Sequence, residues 1–362
     1  MAHREIEVDE FLRLAVDFPV LDVRSPSEYD YAHIPGAFHF PLFTDEERAV
    51  VGTLYKQTNR RAAIRKGLDF FGPKLNLYIE EAEKIIEKNR VSGHQDGREI
   101  YVLVHCWRGG MRSAAIAWLL DVYGYTVLTL KGGYKEYRKW VLNQFEIERD
   151  IRCLGGYTGS GKTDILYSLQ RVGCRVIDLE NLARHKGSAF GAIGQSIPQP
   201  SQEMFENLLA RELTNVATDF DLATRNVIWL EDESQRIGTV NIPEGFWRQM
   251  KSNELVFIDI PFEQRLDYII QGYGKLDRSQ LLAAISRLQK KMGGLETKNA
   301  IGYLLDGDIL ACFHILLKYY DKQYLKALDK KRGGIKKLDV VAFDNVSPNV
   351  IAGKFFEMYG RE

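Results

Sequence analysis

The feature that constrains the fold most is a pair of glycine-bearing turns, each lying between an apolar run and a helical pattern. The first turn, residues 106–113, follows the apolar run 98–105, and the second, residues 156–163, follows the run 151–154. A short continuous apolar run is typical of a buried parallel strand, and a strand–turn–helix order that recurs along a chain indicates an α/β fold. We therefore predict two α/β units whose turns carry different chemistry.

Length and periodicity predict two domains. The 362 residues fit two domains of roughly 100–200 residues each. We place the first at residues 1–142 and the second at 150–362, with a basic helical region at its C-terminal end. The predicted strands are residues 20–24, 98–105, 126–130, 151–154, 175–179, 226–231, 255–260 and 340–343. The predicted helices are residues 44–91 with a break at Gly72-Pro73, then 113–123, 134–148, 162–172, 201–218, 261–271 and 278–291.

The composition excludes several classes of protein. Hydrophobic residues make up 45% of the chain and charged residues 27%, as in ordinary globular proteins. The first ten residues are polar, and no apolar run approaches the length of about 20 residues that a membrane span needs, so we expect no membrane partner. The four cysteines form no C-x-x-C pair, which argues against a zinc site. Free thiols without an export signal predict a cytoplasmic protein, and no pattern specifies an oligomeric state.

The turn after residues 98–105 predicts a reactive cysteine. Cys106 follows the strand directly and precedes the start of a helix, where backbone N–H groups of a glycine-bearing turn converge on one point. Such a nest stabilises an anion and lowers the pKa of a thiol. Arg108 and Arg112 add positive charge, so the three residues are the predicted catalytic set. The plainer interpretation is that Cys106 is a small core residue.

The second turn matches the phosphate-binding pattern G-x-x-x-x-G-K-[ST]. Its glycines let backbone N–H groups approach phosphate oxygens, and its lysine reaches the terminal phosphate. A strand precedes the pattern and an amphipathic helix follows it, as this mechanism requires. The predicted phosphate or diphosphate ligands are Gly156, Gly159, Ser160, Gly161, Lys162 and Thr163.

Acidic residues at the end of the predicted strand 226–231 suggest a metal site. The strand runs into Glu231-Asp232-Glu233, the form that the metal-side element of phosphate-loop proteins takes. We predict Mg²⁺ held by Thr163 and Asp232, with Glu231 as the alternative acid. The plainer interpretation is that these acids cap the next helix or face solvent. No pattern indicates a nicotinamide, flavin or zinc cofactor.

Further residues are predicted to bind substrate or RNA. Asp178 ends a strand, at a place where an acid can meet an acceptor substrate. The loop 184–191 contains Arg184 and Lys186 and could close over a polyanion, although an ordinary loop has the same composition. Residues 318–337 hold eight lysines or arginines against two aspartates. Four of these lysines recur every four residues and so share one helical face, interleaved with tyrosines: Lys318, Lys322, Lys326 and Lys330.

A second polar and basic group lies in the helical region 44–91. It consists of Gln57, Asn59, Arg60, Arg61, Arg65 and Lys66. We predict that this group also contacts RNA, while a solvated helix face is the alternative for both basic regions. The chain has 49 basic and 49 acidic residues, so RNA binding would depend on such local surfaces.

Residues 5–142 resemble the rhodanese domain. The resemblance rests on Leu21-Asp22-Val23-Arg24, Glu28-Tyr29, His33-Ile34-Pro35-Gly36-Ala37 and the cysteine turn, in that order. In that domain the matching cysteine carries a persulfide or, in related phosphatases, attacks a phosphate. His105-Cys106-x5-Arg112-Ser113 also fits the H-C-x5-R-[ST] pattern of tyrosine phosphatases, and simple sulfurtransferases have a shorter loop. The transferred group therefore stays open between sulfur, selenium and phosphoryl.

The whole chain resembles the tRNA 2-selenouridine synthase family, which joins a rhodanese-like domain to a phosphate-loop domain. The resemblance implies a parallel-sheet rhodanese-like domain followed by an α/β domain of the P-loop NTPase type. It implies that geranyl diphosphate alkylates the sulfur of a wobble 2-thiouridine in tRNA and that selenophosphate then supplies selenium. Cys106 would carry or deliver selenium, and the phosphate loop would bind the diphosphate. Trp107, Phe190 and Trp229 are candidate linings for the prenyl chain.

Three other functions stay open from the sequence. A cysteine-dependent phosphatase or arsenate reductase would use Cys106 alone. A small-molecule kinase would use the phosphate loop beside an inert rhodanese-like domain. A nonenzymatic RNA-binding protein would need neither site.

Overall fold

A computed structural model describes residues 4–88, 101–186, 197–214, 227–273, 277–331 and 337–359. The chain divides into two compact units, Met1–Gln144 and Phe145–Glu362. Within the described ranges, no helix is both long and apolar enough to cross a membrane.

The first unit is built on a five-stranded parallel sheet in the order β1-β5-β4-β2-β3. The strands are β1 Arg4–Ile6, β2 Val20–Asp22, β3 Phe38–His39, β4 Tyr101–His105 and β5 Thr126–Leu130. The helices are α1 Val8–Leu14, α2 Pro26–Tyr31, α3 Asp45–Gln57, α4 Arg60–Phe71, α5 Leu75–Lys88, α6 Met111–Tyr123 and α7 Gly133–Gln144. β4 is central and apolar, so it packs into the core and fixes the turn at its C-terminal end.

The second unit has a five-stranded parallel sheet in the order β12-β11-β6-β8-β7. Its strands are β6 Ile151–Gly156, β7 Arg175–Val176, β8 Ile228–Glu231, β11 Glu254–Asp259 and β12 Lys337–Ala342, and β9 Arg236–Ile237 with β10 Val240–Asn241 form a small antiparallel pair. The helices are α8 Lys162–Arg171, α9 Leu179–Ala183, α10 Gln202–Thr214, α11 Glu244–Ser252, α12 Phe262–Tyr273, α13 Arg278–Arg287, α14 Gln289–Met292, α15 Gly294–Asp306, α16 Ile309–Lys331 and α17 Pro348–Tyr359.

The described residues of the second unit form two hydrophobic cores. One lies against the sheet, where α8 and α17 pack together. The other is formed by helices α12 to α16. Since both five-stranded sheets are entirely parallel, the predicted α/β fold class is confirmed.

The predicted helices differ from the observed ones at their ends, and several observed helices, among them α1, α11, α15 and α17, were not predicted. The region 44–91 contains an additional break, because Asn59 caps a new helix by accepting a hydrogen bond from the Ala62 N–H at 2.9 Å. The helix predicted at 134–148 ends at Gln144, and the one predicted at 278–291 divides at Leu288. Parts of four predicted elements, residues 89–91, 98–100, 215–218 and 226, lie outside the described residues.

Candidate functional site

The turn between β4 and α6 encloses the Cys106 thiol. The side chain is buried, and its Sγ lies 3.3 Å from both the Gly110 backbone N and the Ser113 Oγ. Burial alone would raise the pKa of the thiol, but the Ser113 hydroxyl, the Gly110 N–H and the positive charge of Arg112 hold it below the ordinary value. The turn therefore favours a thiolate, as its sequence predicts.

The start of α7 holds this cysteine turn in place. The Tyr134 N–H donates to the Cys106 carbonyl at 2.8 Å, and the Lys135 N–H donates to the Trp107 carbonyl at 3.0 Å. The backbone of Gly133 passes so close that a Cβ there would lie 2.4 Å from the Cys106 oxygen, and its φ of +61° already favours glycine. No pattern in the sequence places Gly133 beside Cys106, and this close contact with the cysteine turn is visible only in the folded unit.

The two predicted catalytic arginines have different surroundings. The Arg112 guanidinium donates to both carboxylate oxygens of Glu28, at 2.7 and 3.4 Å. Glu28 also accepts a hydrogen bond from the Ser25 N–H at 3.2 Å, so Arg112 is fixed beside the thiol. Arg108 is exposed and makes no ion pair with any residue that the structure describes. Arg112 thus sets the local charge, whereas Arg108 is free to turn toward an anionic ligand.

A buried polar network lies at the start of the cysteine turn. The Arg24 guanidinium binds the Asp22 carboxylate at 2.5 Å and lies 3.8 Å from the centre of the Tyr134 ring. The His105 ring is fully buried, with its Nε2 3.7 Å from Asp22, and burial lowers its pKa to about 4. His105 is therefore neutral near pH 7. The Leu21–Arg24 motif is therefore part of the buried support of the cysteine turn and is not exposed to a substrate.

The phosphate loop joins β6 to α8, as predicted. The Ser160 hydroxyl is buried and donates to the Tyr157 carbonyl at 2.7 Å, which closes the loop on itself. Gly159 has φ +84°, and a Cβ there would lie 2.7 Å from the Ile269 side chain, so only glycine fits. Gly161 precedes α8 directly, and the N-terminus of that helix faces the loop, as in anion sites.

Glu231 lies next to Lys162 and Thr163, the first two residues of α8. The Lys162 Nζ is 3.3 Å from Glu231 Oε1 and donates to the Gly156 carbonyl at 3.2 Å. The Thr163 hydroxyl donates to Glu231 Oε2 at 3.2 Å. The Asp232 carboxylate accepts instead from the Tyr324 hydroxyl at 2.9 Å. The residue paired with Thr163 is thus Glu231 and not Asp232, because successive residues at the end of a strand point to opposite sides.

Two further acids lie beside Glu231. Carboxylate oxygens of Glu180, Glu231 and Glu233 lie within 4.8 Å of one another. Burial, reinforced by the neighbouring charge, raises the pKa of Glu180 and of Glu233. Carboxylate and hydroxyl oxygens are the ligands that Mg²⁺ prefers, so these acids and Thr163 fit that ion chemically. Sequence reasoning missed Glu180 because it belongs to the short helix α9, far along the chain from Glu231.

Three residues that were predicted to bind substrate or RNA, Asp178, Arg184 and Lys186, either cap helix α9 or are exposed. Asp178 caps α9 through the Asn181 N–H at 2.9 Å and accepts from the Tyr167 hydroxyl at 2.5 Å. Arg184 ends α9 with a positive φ and donates to the Pro198 carbonyl at 3.3 Å. Lys186 is exposed, and residues 187–191 of the predicted loop lie outside the described residues.

Helix α16 presents its lysines and its tyrosines on different sides. Lys318, Lys322 and Lys326 are exposed, and the Lys330 side chain lies outside the described part. Tyr319 and Tyr320 pack against the helical core, so they do not lie among the exposed lysines. The lysine spacing gives the expected cationic face, while the interleaved tyrosines serve packing.

The inner side of α16 contacts the phosphate loop. The Tyr324 hydroxyl accepts a hydrogen bond from the Gly156 N–H at 3.2 Å and donates to Asp232. Arg265 is buried, donates to the Thr158 carbonyl at 2.9 Å and binds the Asp321 carboxylate with two hydrogen bonds, at 2.9 and 2.8 Å. These contacts fix the beginning of the loop to α12 and α16.

The candidate prenyl linings differ in accessibility. Trp107 is 37% exposed beside the cysteine turn. Trp229 is only 3% exposed and stacks on Phe355 with ring centres 5.9 Å apart, so it is a core residue and the expectation that it lines a groove is wrong. Phe190 lies outside the described residues.

Comparison with known proteins gives matches in both units. Residues 7–139 match the model of the rhodanese-like domain, and residues 149–341 match that of the tRNA 2-selenouridine synthase AAA domain. The chain is 32% identical to the tRNA 2-selenouridine synthase of Bdellovibrio bacteriovorus, covering 91% of this chain and 94% of that protein. It is 36% identical to the one of Nitrosomonas europaea, covering 75% and 68% respectively. Among solved structures, a rhodanese-related protein of Thermoplasma volcanium is 19% identical, with a TM-score of 0.22 over 38% of this chain and 93% of that one.

Proposed function

Because this chain belongs to the tRNA 2-selenouridine synthase family, we propose that it converts 2-thiouridine at the wobble position of tRNA into 2-selenouridine. The observation that carries the proposal is the full-length likeness to named synthases, which spans both the cysteine turn and the phosphate loop. The proposed substrates are tRNA, geranyl diphosphate and selenophosphate.

The phosphate loop is the proposed site of the first reaction. Lys162 and the backbone N–H groups at the start of α8 bind the diphosphate of geranyl diphosphate. The sulfur of 2-thiouridine attacks the first carbon of the geranyl group, the carbon–oxygen bond breaks, and pyrophosphate leaves. Thr163, Glu231, Glu180 and Glu233 would hold Mg²⁺, which supplies positive charge to a leaving diphosphate.

The cysteine turn is the proposed site of the second reaction. The anion nest around Cys106 holds and delivers selenium from selenophosphate, and Arg108 and Arg112 stabilise its negative charge. The selenium of bound selenophosphate attacks the ring carbon that bears the S-geranyl group, the carbon–sulfur bond breaks, and the geranyl thiolate leaves and takes up a proton. Water then attacks the phosphorus, the selenium–phosphorus bond breaks, and the release of phosphate leaves 2-selenouridine. Alkylation in the first reaction makes that sulfur a better leaving group than it is in 2-thiouridine.

A reconstituted reaction tests the proposal. Purified protein is incubated with 2-thiouridine tRNA, geranyl diphosphate and selenophosphate, and the nucleosides are identified by mass spectrometry. We expect S-geranyl-2-thiouridine followed by 2-selenouridine. Absence of both products would contradict the proposal, and hydrolysis of an aryl phosphate that Cys106→Ser abolishes would favour a phosphatase instead.

Two variants assign the two reactions. We expect Lys162→Ala to block geranylation, because it removes the cation that faces the diphosphate. We expect Cys106→Ala to spare geranylation and block selenation, because it removes a thiol of the first unit and leaves the phosphate loop of the second unit unchanged. Lys290→Ala, at an exposed lysine of α14, and Cys174→Ala are the matched controls and should react like the wild type. Equal loss of both reactions in Cys106→Ala would contradict this division of labour.

A further inference from the structure

We infer that the outer face of α4 is an RNA-binding surface, which guides a single-stranded segment of the substrate tRNA to Cys106. This face, called the basic rim below, consists of Arg60, Arg61, Ile64, Arg65 and Leu68. The inference rests on the proposed function, since it assigns the surface that presents the tRNA to the cysteine turn.

The helix pair that carries the basic rim is attached to the cysteine turn at two points. On α3, Arg48 Nε lies 3.5 Å from Glu28, the same carboxylate that binds Arg112. On α4, the Arg60 guanidinium lies 4.0 Å from the Met111 sulfur, and Met111 is the first residue of α6 after the turn. The basic rim therefore borders the turn directly.

Packing fixes which side of α4 faces solvent. Ala63, Gly67 and Phe71 recur every four residues and are buried. Gly67 lies against the Phe43 ring, which a Cβ would approach to 3.3 Å, so α4 sits close to the core on that side. The opposite side is turned outward and carries Arg61 and Arg65.

The arginines of the basic rim have no acidic partner among the residues that the structure describes. Residues 48–68 include six cations and no acid. None of Arg60, Arg61 and Arg65 forms an ion pair with a residue in the described ranges. Lys66 differs, because it lies 3.8 Å from Asp69 and over the Phe70 ring, so we leave it out of the rim. Unpaired arginines so close together favour a partner that brings phosphates.

Exposed apolar groups lie among these arginines. Ile64 and Leu68 are 38% and 59% exposed on the same helix, and Trp107 is exposed on the cysteine turn. Arginine planes and apolar side chains suit unstacked bases, whereas a duplex would offer only its backbone. The combination therefore favours a single-stranded segment, as found in the loop that contains the wobble base.

A charge-neutralising variant tests the inference in the full-length protein. Arg61→Gln with Arg65→Gln removes two rim charges and keeps Arg60, which contacts the cysteine turn. We expect affinity for 2-thiouridine tRNA, and for its isolated anticodon stem-loop, to fall at least about fivefold. The slope of log affinity against log salt should also decrease by about 1.4, since each single-strand phosphate contact contributes roughly 0.7. Lys84→Gln with Lys88→Gln, at exposed lysines of α5, is the matched control and should bind like the wild type.

Two further measurements separate the outcomes. The rate of Cys106 alkylation by iodoacetamide should be unchanged in the rim variant, which shows that the turn is intact. If the wild type forms 2-selenouridine but the rim variant binds the stem-loop equally well, the inference is wrong and the proposed function stands. If the wild type neither binds nor modifies tRNA, the proposed function itself fails. Loss of binding to anionic lipid vesicles with unchanged tRNA affinity would also overturn the inference, in favour of a membrane surface.

Discussion

At the scale of single residues, the reactivity of Cys106 depends on the groups that converge on its sulfur. Burial opposes ionisation of the thiol, so the neighbouring donors decide the outcome. The Ser113 hydroxyl and the Gly110 N–H both lie 3.3 Å from the sulfur, and the Ser113 hydroxyl lowers the pKa of the thiol most. Cys312 is a buried thiol with no such donor among the described residues, and burial raises its pKa to about 11. The contrast shows that the turn, and not burial of a cysteine, lowers the pKa of Cys106.

We expect Ser113→Ala to raise the pKa of Cys106. The variant removes a hydrogen bond to the charged form of the thiol, so the thiolate loses stability while the thiol does not. The pH at which iodoacetamide alkylation reaches half its maximal rate should therefore move upward, and the rate near pH 7 should fall. Ser286→Ala, at an exposed serine of α13, is the control and should leave the profile unchanged. An unshifted profile in Ser113→Ala would mean that the Gly110 N–H and Arg112 suffice.

At the scale of elements, α16 serves the phosphate loop as well as its own helical core. Tyr324 connects the helix to the loop, because its hydroxyl accepts a hydrogen bond from the Gly156 N–H and donates one to the Asp232 carboxylate.

We expect Tyr324→Phe to lower the affinity for inorganic pyrophosphate about fivefold, since one net hydrogen bond is worth roughly 1 kcal/mol. The effect should appear in the KM for geranyl diphosphate more than in kcat. Calorimetric titration checks it, with Tyr303→Phe in α15 as control, and equal affinities in the two variants would contradict it.

The sequence predicts those elements whose signals are local. Cys106 and Lys162 follow apolar strands and precede helices, so their turns are recognisable from neighbouring residues alone. Glu180 and Tyr324 reach the phosphate loop from elements that are distant in sequence, and no local pattern marks them. Glu28 belongs to the rhodanese-like Glu28-Tyr29 motif, but the sequence does not show that it binds Arg112. The sequence also could not decide whether Glu231 or Asp232 points toward Thr163, because the direction of a side chain after a strand depends on where the strand ends. The helices α11, α15 and α17 were not predicted, since single-chain periodicity does not show what they pack against.

At the scale of the whole molecule, the zero net charge is an average over surfaces of unlike character. Helix α16 of the second unit carries exposed lysines, and α4 of the first carries arginines that form no ion pair with any described residue. Each unit also has its own complete anion site: the turn around Cys106 in Met1–Gln144 and the phosphate loop in Phe145–Glu362. The two proposed reactions are therefore separable in chemical terms.

This separability predicts complementation between two defective proteins. A mixture of Lys162→Ala and Cys106→Ala proteins should form 2-selenouridine, because Cys106→Ala can geranylate the tRNA and Lys162→Ala can exchange the S-geranyl group for selenium. The intermediate tRNA has to pass between molecules, and contacts made mainly through lysine and arginine loosen as salt rises. The yield should therefore increase with moderate salt before binding becomes limiting. Mass spectrometry of the nucleosides checks this, with each variant alone and the double variant as controls. If each variant performs its own step and the mixture still gives no 2-selenouridine, the two steps require one chain to retain the tRNA throughout.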